Sequence, residues 1–294
     1  MDTIEIKARA KINIALGVNG KLENGYHDLS MIMQTVNLHD TLLVKKTAEK
    51  GVHLTTNRPW LPTDERNLVY RTCAYLMDRF GLPGGVSVNL NKRIPVSAGL
   101  GGGSADCAAT LVALKRLFSL PLTVTELMQV GKTFGADVPF CVLQGTALAE
   151  GIGDILTPLP SLPFCHILIV KPYVSVSTAD IFSRIDMSAL PPQPSISNVV
   201  SHIENGNLQH IAKSMFNTLE AITIPMHPII SAIKNALTEA GALGTLMSGS
   251  GSAVFGLFPS YQHAKSAKTM LKQQFKIRET FITTCYQKAS PVQP

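Results

Sequence analysis

The 294-residue chain is poor in aromatic residues, at 6%, and its 16% of charged residues never gather into long runs. The tightest basic clusters are the pairs Lys45-Lys46, Lys92-Arg93 and Lys115-Arg116, with no interleaved aromatics. A net charge of +6 and a pI near 9.1 suit an anionic partner, whether nucleic acid, an anionic membrane or a polyphosphate, but the scattered charges argue against nucleic acid, and most of them read as solvated surface. The five cysteines (Cys73, Cys107, Cys141, Cys165 and Cys285) include no CxxC, which removes the usual sequence support for a zinc site or redox pair. Free thiols in a reducing compartment are the economical reading. The first residues, Met-Asp-Thr-Ile-Glu-Ile-Lys, lack the basic-then-apolar pattern of a signal peptide, and no run of apolar residues is long enough to span a bilayer. The expected location is the cytoplasm, with no membrane partner. Internal repeats and low-complexity tracts are absent as well.

A hydrophobic fraction of 45% over this length is enough to build a core without covalent staples. Alternation marks residues 3–9 and 32–46 as β-like, and Val86-Ser-Val-Asn-Leu90 as a strand. Leu68, Val69, Cys73, Leu76, Met77 and Phe80 recur at helical spacing, so a helix is expected over Asn67 to Phe80, broken by Gly81. Thr123-Val-Thr-Glu126 reads as a capping box opening a helix over 124–134, followed by a turn at 135–139 and strand-like residues 141–149. Past Pro160 the reading is a strand at 167–170, a proline-rich loop at 186–197 and helices at 207–219 and 227–240. Strands at 242–247 and 253–258, a helix at 261–274 and a strand at 278–285 complete it. Strands and helices mixed without regular βαβ alternation make an α+β fold, with domains expected over 1–158 and 159–294.

The central feature is Pro95-Val96-Ser97-Ala98-Gly99-Leu100-Gly101-Gly102-Gly103-Ser104-Ala105, which leads into a helix expected from about Ser104 to Phe118. Glycines let a backbone turn sharply and approach a ligand, and helix N-termini favour anions. Such a loop either cradles a polyphosphate or is a purely structural turn. It is not GxxxxGK[ST], because no lysine follows, and Ser104 spoils GxGxxG. Ser104 can cap the helix or turn its hydroxyl to a phosphate. Three other segments bear on the choice. Lys11, in Ala10-Lys11-Ile12-Asn13, is a cation in an apolar strand, where it needs an anion or solvent. Gly135-Ala-Asp137-Val-Pro139 holds one carboxylate in a turn, and Met247-Ser-Gly-Ser-Gly-Ser-Ala253 is a second small-residue loop.

In this order, a lysine strand, a Pro-x3-Gly-Leu-Gly-Gly-Gly-Ser loop and a Ser-Gly-Ser-Gly loop, the three segments resemble the signature motifs of the GHMP kinases over residues 8 to about 258. Asn24-Gly-Tyr-His27, Asn67-Leu-Val-Tyr70, the run 135–140 and Ala149-Glu-Gly-Ile-Gly-Asp-Ile-Leu156 are similar to a branch of that family whose acceptor is a cytidine diphosphate derivative. A homoserine or mevalonate-type kinase of the same family is the alternative.

The resemblance implies a two-domain fold with an active-site cleft between the domains, ATP and Mg2+ as cofactors, and a monomer or homodimer. It implies Asp137 as general base and Lys11 as the charge that stabilises the transferred phosphoryl group. Pro95 to Ala105 would hold the ATP phosphates, with Asn67 and Lys92 near adenine. Asn13, Tyr26, His27, Thr178 and Phe182 would bind the acceptor, Tyr26 and Phe182 stacking on the cytosine and His27 reading its edge. Each has an ordinary alternative: Asp137 and Asp106 as helix or turn caps, Lys11 and Lys92 as solvated lysines, Asn13 as a structural amide, Tyr26-His27 as an exposed turn, Phe182 as core. No protein ligand for magnesium stands out; Asp106 could reach a metal only through water. Ala105 replaces a serine common in relatives, which removes a hydroxyl and leaves the backbone donors intact.

Overall fold

Alternating Ile4, Ile6, Ala8 and Ala10 begin a strand that does not stop at residue 9, because the run Ala10–Val18 is apolar on both faces except for Lys11 and Asn13. A strand covered on both sides has no need of alternation. In the computed structural model, which describes residues 2–288, this is β1, Thr3–Lys21. β2 is likewise long, His27–Thr47.

The chain forms two compact units that interleave along the sequence. The first comprises the described residues of Met1–Ala10, Leu38–Val96 and Gly101–Leu143; the second comprises those of Lys11–Asn37, Ser97–Leu100 and Gln144–Pro294. A single division at residue 158 is a different partition, contiguous in sequence where these two units are not. β1 and β2 run through both units.

In the first unit β3 (Gly51–Thr56) pairs parallel with β4 (Gly85–Asn91), and β4 pairs antiparallel with the end of β2, Thr41 opposite Asn91. α1, Leu68–Phe80, starts at Asn67, whose side chain accepts the Val69 N–H, and ends at Gly81 in the left-handed region. α2 spans Gly102–Leu117, and its alanines, Ala105, Ala108, Ala109 and Ala113, are buried. It begins two residues before the expected Ser104, so Gly102 and Gly103 are helical and Gly101 is the N-cap. α3, Val124–Lys132, opens on the expected capping box, Thr123 and Glu126 bonding reciprocally. α4, Val138–Leu143, is a correction: residues 141–143 were expected in a strand, but their apolar run continues the turn as a short helix. A short apolar run does not separate strand from buried helix by periodicity.

In the second unit β5 (Thr146–Gly151) pairs antiparallel with the start of β2, Leu29 opposite Gly151, and β6 (Ile155–Leu159) pairs with β5. β7 is His166–Val170, followed by α5 (Thr178–Ser183), α6 (Ile196–Glu204) and α7 (Leu208–Ser214). The helix expected over 207–219 ends early, because Phe216–Asn217 form β8, parallel to β1, with Ala15 opposite Phe216. α8 (Glu220–Met226), α9 (Ile229–Glu239), β9 (Gly244–Met247), β10 (Val254–Phe258), α10 (Tyr261–Phe275) and β11 (Thr280–Thr284) complete the unit. A four-stranded antiparallel sheet in the order β11-β7-β10-β9 carries its centre on β10, every residue of which is buried. The architecture is α+β. Among the described residues no helix is long and apolar enough to cross a membrane.

Candidate active site

Lys11 and Asn13 stand two residues apart on β1 and so share one face of the strand. Both are buried, Asn13 fully, and the Lys11 ammonium donates to Asn13 Oδ1 at 2.8 Å. Neither is a solvated residue. A buried ammonium persists only where acceptors surround it, and this one lies where two loops meet. The Lys11 N–H donates to the Leu100 carbonyl at 3.0 Å, which ties the glycine-rich loop to β1. The second small-residue loop closes over the same point. Ser248 Oγ donates to the Gly99 carbonyl at 2.9 Å, and the Ala253 N–H donates to the Ala98 carbonyl at 3.1 Å.

Glycine is required at this junction. Gly99 has φ +73°, and a Cβ there would fall 1.9 Å from the Ser248 carbonyl oxygen. A Cβ on Gly249 would lie 3.4 Å from each of Lys11 Nζ, Asn13 Oδ1 and the Gly99 oxygen. Three segments separated by scores of residues thus converge on one spot. The sequence reading missed what holds the second loop. Asn217 Nδ2 donates to the Met247 and Gly249 carbonyls, 2.8 Å each, and Glu220 accepts the Met247 N–H at 2.8 Å. The asparagine stood inside an expected helix, with nothing local to mark it.

The residues expected to bind the acceptor also belong to the second unit. His27 is buried and faces Phe182, ring centroids 5.6 Å apart and tilted by 43°. Burial, and secondarily the Lys21 charge, hold the imidazole below the ordinary histidine value of 6.5. The ring next to Phe182 is therefore His27; Tyr26 stands out in solvent, 62% exposed, in a turn where its N–H is accepted by Asn24 Oδ1. Phe182 is half-buried on α5, not core. Thr178 Oγ1 shares a 2.9 Å hydrogen bond with Ser250 Oγ, which joins the start of α5 to the small-residue loop.

In the first unit, Gly101, Gly102 and Ser104 are partly exposed and Gly103 is exposed at the head of α2. The first N–H groups of a helix lack intrahelical acceptors; the Ala105 N–H is the first to find one, on Gly101, at 2.8 Å. Ser104 does not cap the helix, since Gly101 occupies the N-cap. A Cβ on Gly135 would lie 3.9 Å from Ser104 Oγ, so that hydroxyl faces the turn carrying Asp137. Asp137 is half-buried, and its carbonyl accepts the Cys141 N–H at 3.1 Å, which places it at the head of α4. Asn67 spends its side chain on α1 and on the Pro62 carbonyl, 2.8 Å away.

Lys92 is not solvated, and Asp106 is not a helix cap, since Gly101 holds that place. Lys92 Nζ donates to Asp40 Oδ2 at 2.5 Å and to Asp106 Oδ2 at 2.6 Å, and all three residues are buried. Burial pushes Asp106 well above the ordinary carboxylate range; Lys92 opposes that shift and the Asp40 carboxylate reinforces it. For Lys92, burial favours the neutral amine, but the two carboxylates outweigh it and the net shift is upward.

The chain matches the sequence profiles of the GHMP kinases N terminal domain over residues 67–145 and of the GHMP kinases C terminal domain over 199–277. A Lachnospira eligens protein named 4-diphosphocytidyl-2-C-methyl-D-erythritol kinase is 44% identical, over 97% of this chain and 99% of its own length. A protein of the same name from Lachnoclostridium phytofermentans is 46% identical, over 98% and 99%. A solved structure described as 4-(cytidine 5'-diphospho)-2C-methyl-D-erythritol kinase superposes with a TM-score of 0.83 at 32% identity, covering 97% of this chain and all of that one.

Proposed function

The chain belongs to the GHMP kinase family, and within it to the 4-diphosphocytidyl-2-C-methyl-D-erythritol kinases; it is a small-molecule kinase, and from that premise we propose how its residues divide the work. The reaction transfers the γ-phosphoryl group of ATP to the 2-hydroxyl of 4-diphosphocytidyl-2-C-methyl-D-erythritol, a step in non-mevalonate isoprenoid precursor synthesis. The hydroxyl oxygen forms a bond to the γ-phosphorus as the bond to the ADP bridging oxygen breaks, and the hydroxyl proton passes to the Asp137 carboxylate. Lys11, held by Asn13, stabilises the charge on the phosphoryl oxygens in transit. The loop from Pro95 to Ala105 receives the ATP phosphates, with the backbone N–H groups of Gly102, Gly103 and Ser104 as donors, and Ser104 adds a hydroxyl beside the Asp137 turn. Asn67 flanks the adenine side, whereas Lys92, buried between Asp40 and Asp106 under Gly102, supports the phosphate turn from below.

The observation that carries this reading is the convergence of Lys11, Asn13, Gly99 and the 248–251 loop, because a buried ammonium beside two glycine turns suits phosphoryl charge and little else. His27 and Phe182 form the side that takes the cytosine, the neutral imidazole offering one donor and one acceptor. Tyr26, exposed before the base binds, is the ring that would close over it.

Magnesium would arrive with ATP and neutralise β- and γ-phosphate charge. The described residues contain no group of three or more His, Cys, Asp or Glu able to hold a metal. Ser104, at the head of α2, is the protein hydroxyl that would meet the ion beside the phosphates. The cytoplasm, where ATP is available and the five buried thiols stay reduced, is the location we assign.

The test is coupled ADP release with 4-diphosphocytidyl-2-C-methyl-D-erythritol, homoserine and mevalonate as separate acceptors, wild type beside Asp137→Asn. Turnover with the cytidyl acceptor alone, abolished in the variant while ATP still binds, is the expected result. Equal turnover with homoserine or mevalonate would overturn the acceptor assignment.

A further inference from the structure

Asp40 carries no motif and drew no attention in the sequence, yet it is fully buried and accepts three hydrogen bonds. Its Oδ1 takes the N–H groups of Arg93 and Ile94, at 2.5 and 2.8 Å, and its Oδ2 takes Lys92 Nζ. Arg93 and Ile94 are the last two residues before Pro95, where the phosphate loop begins. Lys92 in turn reaches Asp106, in the second turn of α2. A Cβ on Gly102 would meet Ile94 Cγ2 at 3.1 Å and Lys92 Nζ at 3.3 Å. The head of α2 therefore rests directly on Lys92 and Ile94, and both are fixed by one carboxylate.

We propose that Asp40 is a positioning residue for ATP: through Lys92, Arg93 and Ile94 it fixes the head of α2, so that the N–H groups of Gly102, Gly103 and Ser104 hold the geometry a triphosphate requires. This rests on the kinase reading above and deepens it. The charge balance supports it. Two carboxylates on one lysine would leave a net negative charge beneath the very turn that must receive a polyanion, a costly arrangement. One proton shared within the trio leaves it neutral, and buried Asp106, whose Oδ1 has no hydrogen-bond partner, is the carboxyl on which burial favours that proton. The trio then anchors the turn without repelling the ligand.

The experiment compares wild type, Asp40→Ala and Asp40→Asn for ATP affinity by calorimetry without acceptor, for KM toward ATP and toward the cytidyl acceptor, and for melting temperature. Asn keeps one acceptor for the Arg93 and Ile94 N–H groups and loses the charge on Lys92. Asp40→Ala is expected to weaken ATP binding and raise its KM about tenfold or more, as small misplacements of a positioned group do. The acceptor KM should stay within about twofold, and Asn should restore part of the loss. Unchanged ATP affinity in a folded Asp40→Ala overturns the proposal, as does a parallel rise in both KM values, which would mark a purely structural role. If the alanine variant does not fold, Asp40→Asn decides: ATP binding weakened about threefold supports the proposal, and unchanged binding overturns it. Because ATP affinity is read without the acceptor, a wild type that binds ATP but leaves the cytidyl alcohol untouched would refute the substrate assignment and leave this inference standing.

Discussion

The Lys11 ammonium lies 2.8 Å from Asn13 Oδ1, two buried polar groups in the otherwise apolar run Ala10–Val18 of β1. Burying such a charge costs stability whatever its function. Lys11→Met keeps the stem and removes the charge. It should lower kcat by about 10²–10³, leave ATP affinity within a few fold, and leave the melting temperature unchanged or higher. Steady-state kinetics with thermal melts check this; a kcat within about threefold of wild type would remove Lys11 from the transition state.

Gly99→Ala should be among the least tolerated changes in the chain. The backbone there is left-handed and the new methyl would meet the Ser248 carbonyl, which cannot yield like the tip of a side chain. The conformational cost alone is about 1–3 kcal/mol, and relief of the clash must part the two loops. Reduced melting temperature together with lost ATP binding is expected. A Gly20→Ala control has open space and an ordinary φ, and should show neither.

His27 gives the acceptor site a pH dependence. Burial and Lys21 both disfavour the imidazolium, so the ring is neutral above 6.5 and protonates only below it. The KM for the cytidyl acceptor should stay flat from about pH 8 down to that value and rise as the pH falls further, if the neutral ring is what pairs with the base. Lys21→Gln removes one of the two causes and should move the limb upward. His27→Gln should abolish it. Acceptor KM measured at fixed saturating ATP across the range tests all three.

Asp106 makes stability pH-dependent in the opposite sense from an ordinary salt-bridged aspartate. Its folded-state pKa lies above the ordinary 3.8, so the folded chain holds this proton longer than the unfolded chain does. The contribution is complete below the unfolded value and is lost as pH climbs through the folded one. Asp106→Asn removes the titration. Its melting temperature relative to wild type should be lowest near about pH 4 and improve steadily toward about pH 8. A constant difference between the two proteins across that range would mean that Asp106 stays ionised beside Lys92 and Asp40.

Much of the fold was legible because local chemistry wrote it. Asn67 and Gly81 bound α1, and Thr123 with Glu126 opens α3, each by hydrogen bonds spanning a few residues. Elements without such signals went unseen: β3 is short and at a sheet edge, β6 contains Pro158, α5 is barely a turn longer than its cap, and α6 follows directly on a proline-rich stretch. The site divides the same way. Its glycines and the residues Lys11 and Asp137 announced themselves by type and spacing, while Asn217 and Asp40 did not, since their partners lie about 30 and 52 residues away.

The amino-acid sequence by itself determined where the backbone must bend, where helices start and stop, and which family the segments resemble, because these follow from side-chain size, rotamer freedom and hydrogen bonds to near neighbours. Only the tertiary structure decided which charges face each other. It put Lys92 between two carboxylates instead of in water, set His27 rather than Tyr26 beside Phe182, and seated the Ser248 carbonyl where Gly99 has no side chain. Such pairings depend on closing long loops, and the periodicity of a single segment holds no record of what arrives from the far end of the chain.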